Sequence, residues 1–84
     1  LKIKKMRSRW GSCSSQKSIN LSIYLAQLNM DLIEYVIVHE LAHTKQMNHS
    51  IKFWEEVEMS MPDFKLRRKN LKKFRPGLII DNKA

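Results

Sequence analysis

Apolar positions near-alternate with polar ones over the first ten residues, where Leu1, Ile3, Met6 and Trp10 stand among five basic side chains. The alternation slips at Lys4 and Lys5, which predicts a strand over Leu1 to Trp10 with a bulge in it. Gly11 to Lys17 (GSCSSQK) is small and polar, and Ser18 to Tyr24 then resumes the alternation with Ile19, Leu21 and Ile23 on one side. The pattern predicts a strand, a turn and a second strand, an antiparallel hairpin. Beyond Asn29 the period becomes helical. Asn29 or Asp31 can cap a helix, and Glu34 follows Asp31 at the spacing of a capping box. That helix is expected from about Asp31 to Gln46. Its interior is rich in β-branched Val and Ile, so burial rather than intrinsic propensity must hold it. Asn48 is suited to the left-handed conformation that ends a helix. Ser50 to Met59 then presents Ile51, Trp54, Val57 and Glu58 at helical spacing, and Pro62 breaks the pattern. A third, very basic helix is expected over Phe64 to Phe74, stopped by Pro76-Gly77.

These elements predict a small α+β fold, a hairpin or larger sheet packed on the Asp31–Gln46 helix and followed by one or two further helices. With 84 residues the chain holds one domain. We place its core at 1–77 and a short tail at 78–84. So small a domain buries only about 60 to 65% of the surface its unfolded chain exposes, and a bound metal would add folding energy. The first residue, Leu1, suggests a piece of a longer protein.

Hydrophobic residues make up 43% and charged residues 29%, the balance of a globular domain. No apolar run approaches the ~20 residues of a membrane span, and the basic opening lacks the apolar middle of a secretory signal. Cys13 is the single cysteine, so an internal disulfide is excluded and a cytoplasmic location is expected. Sixteen Lys and Arg against eight Asp and Glu give a net charge of +8, enough to attract nucleic acid nonspecifically.

The segment His39-Glu40-Leu41-Ala42-His43 puts two histidines about 40° apart around a helix and one turn along it, so that both imidazoles reach one ion. Zinc suits such ligands, and a catalytic site uses three protein ligands with one position left for water. Glu40, beside the first histidine, falls next to that water as general base. His49, the remaining histidine of the chain, is the candidate third ligand, beyond a helix end that lets the chain turn back. The spacing equals that of the metzincin motif, but Gln46 stands at the glycine position, so a different turn is required, near Met47-Asn48. Cys13 is the weaker ligand candidate, since three histidines complete the set.

The chain resembles the YgjP-like metallopeptidase domains, predicted metal-dependent hydrolases related to the SprT-like and WLM zincins. The resemblance runs through Arg9-Trp10-Gly11-Ser12-Cys13-Ser14, Ile19-Asn20-Leu21, Tyr35 to His43, Met47-Asn48-His49-Ser50 with Phe53-Trp54, Pro62-Asp63-Phe64 and Arg67-Arg68. It implies a zincin core, zinc on His39, His43 and His49, the catalytic acid/base at Glu40, and a peptide or protein substrate. By analogy, strand Ser18 to Tyr24 would be the sheet edge that pairs with an extended peptide. Arg9, Tyr24 and Tyr35 are candidate carbonyl or oxyanion donors, against salt bridging for Arg9 and core packing for the tyrosines. Trp10, Phe53 and Trp54 are expected in the core. Two competing readings remain: a nucleic-acid module with a structural zinc, presenting the basic segments Lys2 to Arg9 and Lys65 to Arg75, and a metal-dependent amide hydrolase of non-protein substrates.

Overall fold

A computed structural model describes residues 1–74. The predicted stop at Pro76-Gly77 and the tail after it lie outside the described residues. The elements are β1 (Lys2–Lys4), β2 (Gly11–Cys13), β3 (Ile19–Ser22), a 3-10 turn (Ile23–Gln27), α1 (Met30–Ala42), α2 (Ile51–Ser60) and α3 (Phe64–Leu71). The fold is α+β, as expected, although the sheet departs from the simple hairpin.

β3 is the central strand, with β1 parallel on one side and β2 antiparallel on the other. The long strand predicted over Leu1 to Trp10 shrinks to Lys2–Lys4, exposed at all three positions. The residues read as a turn, Gly11–Cys13, form β2 instead. The true turn is shorter. Lys17 takes φ 65°, its N–H donates to the Ser14 carbonyl at 2.8 Å, and the Ser14 hydroxyl accepts from the N–H groups of Gln16 and Ser18, both at 3.2 Å. β3 presents Ile19 and Leu21 to the core, and Ser22 at its end is buried. The Ser22 hydroxyl donates to the Met6 carbonyl at 2.8 Å and accepts from the Tyr24 N–H at 3.2 Å, tying the β1–β2 connection to the 3-10 turn.

α1 starts after Asn29, without a side-chain cap. The capping box predicted for Asp31 and Glu34 does not form. Asp31 lies in the first turn, where its charge complements the helix dipole, and Glu34 pairs with Arg67 of α3 at 2.9 Å. The helix ends at Ala42, one turn earlier than Gln46, because the chain tightens there: the Thr44 N–H and hydroxyl both turn back to the Leu41 carbonyl. Asn48 is not left-handed, Lys17 being the one non-glycine residue with positive φ among those described. α2 is capped by Ser50, whose hydroxyl accepts from the Phe53 N–H.

One cluster forms the core: Ile19 and Leu21 from the sheet, Leu32, Tyr35 and Val36 from α1, Phe53 and Val57 from α2, Met61 and Phe64 from the turn into α3, with Leu25, Leu28 and Ala42. β2, β3, α2 and α3 all pack on α1. The predicted site helix is therefore the element around which the molecule is built.

Candidate metal centre

His39 projects from the last turn of α1, His43 is the residue that caps the C-terminal end of that helix, and His49 comes from the turn that leads into α2. One ring nitrogen of each lies within 4.8 Å of those of the other two. Nε2 of His39 is 3.3 Å from Nε2 of His49, so these rings point at a common spot. The opposite nitrogens are engaged behind them. His39 Nδ1 is 3.5 Å from the Tyr35 hydroxyl, and His43 Nδ1 is 3.1 Å from the Gln46 carbonyl, which leaves Nε2 of His43 free to face inward. Outward partners of this kind fix the tautomer and tilt of a metal-binding imidazole. Gln46, at the position of the expected glycine, thus contributes its main chain.

Phe53 is the floor of the site, its ring centroid 5.0, 4.4 and 4.9 Å from those of His39, His43 and His49. Trp54 extends that floor, touching the His39 and His49 rings on one side and stacking on Phe64 at 5.5 Å on the other. Burial, the crowding of His43 and His49, and the nearby Arg68 push the His39 pKa down to about 4. His49 is held below its usual value for similar reasons. Imidazoles that resist protonation keep their lone pairs available, as metal binding requires.

Glu40 is 6% exposed, and its Oε1 has no hydrogen-bond partner. Burial raises its pKa to about 7, with Arg9 acting in the opposite direction. An orphaned, buried carboxylate oxygen is costly unless a ligand, a water or a metal site accounts for it. The converging imidazole nitrogens and this carboxylate together fit a divalent metal with an accompanying water. The carboxylate lies against Gly11 of β2: a Cβ there would sit 3.0 Å from Glu40 Cγ and 3.2 Å from Glu40 Oε2.

The remaining candidates separate clearly. Cys13 borders the same cleft without joining the ligand group, and burial followed by the charge of Glu40 raises its thiol pKa. Tyr35 is buried, and its hydroxyl lies 3.5 Å from His39 Nδ1. Tyr24 carries the Arg7 guanidinium over its ring at 5.7 Å and lines neither cleft around the histidines. Arg9 lines both of those clefts and forms no ion pair among the described residues. Trp10 and Trp54 are half-buried and pack against the core, and Phe53 is fully buried. Of the aromatics in the basic segment, Phe64 at the start of α3 lies in the core, and Phe74, beyond its end, is half-buried and packs against that core. β3 is the central strand and cannot be a pairing edge. The edge beside the histidines is β2.

Two features of the site escaped the sequence reading. Tyr35 stands four residues before His39 on α1, and that spacing alone could have paired them. Arg68 reaches the site only because α3 docks on α1, a tertiary event with no local signal.

The described residues contain no helix long and apolar enough to cross a membrane. Among curated proteins no match was found. Among solved structures, the metallopeptidase zymogen of Pyrococcus abyssi abylysin is similar, with a TM-score of 0.71, 27% identity, and coverage of 83% of this chain and 71% of that one. The sequence profile of the YgjP-like metallopeptidase domain matches residues 1–74. A match over most of the chain, on a fold shared with a metallopeptidase, places this protein in the YgjP-like metallopeptidase domain family, as a metal-dependent protease.

Proposed function

We propose that the chain, over a core spanning 1–77, is a zinc peptidase in which His39, His43 and His49 hold the metal and Glu40 is the general base. The observation that carries this reading is the convergence of three imidazole nitrogens within 4.8 Å beside a buried, unpartnered carboxylate oxygen. Three nitrogen ligands and an open position are what a catalytic zinc site uses. Zinc, when bound, supplies Lewis acidity towards water and a peptide carbonyl. Glu40 takes the proton of the attacking water and passes it to the leaving amine. Tyr35 and the Gln46 carbonyl hold His39 and His43 in register from behind. The free edge of β2 offers main-chain groups to an extended peptide, which suits a substrate bound with little dependence on sequence.

The test is zinc content after reconstitution and dialysis, together with hydrolysis of an unstructured protein. About one zinc per chain is expected, weakened greatly in His49→Ala. Glu40→Gln is expected to keep its zinc and to lose hydrolysis by a factor of at least roughly 10². Unchanged turnover in Glu40→Gln would remove the proposed base.

A further inference from the structure

His39 and Glu40 divide the cleft. On the metal side lies a cavity bordered by the histidines, Cys13 and Met47. A second cavity of about 330 Å³ shares His39 and Glu40 with it and extends between the segment entering β2 and helix α3. That size lies at the lower end of the range for small-molecule sites and can hold a single side chain or chain terminus. Its apolar wall is formed by Trp10, Leu71 and Phe74, and its cationic rim by Arg9, Arg68 and Lys72.

The charges at this rim are unbalanced. None of Arg9, Arg68 and Lys72 forms an ion pair among the described residues, and Glu40 is the one acidic side chain lining the cavity. Arg67, next to Arg68 on the same helix, shows the contrast: its guanidinium is taken up by Glu34 at 2.9 Å and Asp63 at 3.0 Å. Arg68 instead lies over the Trp54 ring, 5.0 Å from its centroid, a cation–π contact that orders the guanidinium without neutralising it. Cationic helix faces are commonly just solvated. Here cations from two separate elements meet at a concave apolar site that adjoins the groups proposed for chemistry, and guanidinium forks are suited to carboxylates.

We propose that this cavity is a specificity pocket for a carboxylate of the peptide substrate, held by Arg9 and Arg68 with its aliphatic stem against Trp10 and Leu71. The proposal rests on the peptidase reading above and names the substrate class, peptides with an acidic group close to the scissile bond. That carboxylate has two sources, an acidic side chain or the chain terminus.

Binding and turnover are measured separately on the zinc-loaded protein with four matched peptides: Glu or Gln at the varied position, and a free acid or an amide at the C terminus. Equilibrium binding to Glu40→Gln is followed by tryptophan fluorescence, since Trp10 lines the cavity and Trp54 lies under Arg68. One carboxylate-to-carboxamide change is expected to weaken binding roughly tenfold or more, and which change does so identifies the source. In wild-type protein the same change should appear mainly in KM. Arg68→Met should make the acid and amide forms bind alike, with Arg68→Lys retaining part of the difference, and retained zinc content verifies that both variants fold. Equal binding of all four peptides would overturn the pocket while leaving hydrolysis, if seen, intact. Carboxylate-dependent binding without hydrolysis would uphold the pocket and count against the peptidase reading.

Discussion

Gly11 occupies a position where even a methyl group would press on the carboxylate at the centre of the site. The distances of 3.0 and 3.2 Å to Glu40, and 3.2 Å to the Asn20 carbonyl, leave no slack on either side, so the side chain must give way. Gly11→Ala is therefore expected to cut hydrolysis by roughly ten- to a hundredfold through displacement of Glu40, with zinc content unchanged. Loss of both together would mean that the substitution had disturbed the sheet instead. Cys13, two residues on, makes a complementary case. Its thiol pKa is raised by burial and by Glu40, so less of it is thiolate near neutrality. Cys13→Ala should retain one zinc, and the wild-type thiol should alkylate with iodoacetamide more slowly at pH 8 than a free cysteine. A zinc content that fell with this substitution would add Cys13 to the ligands.

Among the elements, α2 serves two purposes. Phe53 and Val57 fill the core at 0% exposure, and the Phe53 ring also supports all three histidines. Phe53→Ala is expected to cost about 3–5 kcal/mol in urea denaturation, the range for emptying a buried aromatic site. It should also loosen zinc binding, whereas Phe53→Leu should preserve most of both. The elements differ in how visible they were along the chain. α1 and α2 were legible because each carries an apolar face at helical spacing. β2 was not, since Gly11-Ser12-Cys13 has no alternation of its own: it is a strand because β3 supplies its hydrogen bonds and because small residues admit Glu40. β1 shows the reverse, an alternating stretch of which only Lys2–Lys4 finds a partner. The three histidines and Glu40 could be read from spacing and chemistry. Their supports, the Gln46 carbonyl and Arg68, depend on where the chain turns and where α3 docks.

For the whole molecule, the core cluster among the described residues packs on one helix, and most domains hold only about 5–15 kcal/mol of stability. A ligand bound only by the folded state adds to that reserve by mass action, about 2.7 kcal/mol at a concentration a hundred times its Kd. In a domain of this size such an increment raises Tm by roughly 10–20 °C. Thermal melts with zinc and with a chelator should differ by this order, and His49→Ala should abolish most of the difference. An identical Tm in both would show that the ion does not hold the fold. The division of the ligands has a further consequence. His39 and His43 are fixed on the central helix, while His49 is exposed and reaches the site from the connection to α2. An ion at the site would therefore act as a latch on the segment from Thr44 to Ser50, and amide hydrogen exchange there should slow on loading far more than along the interior of α1.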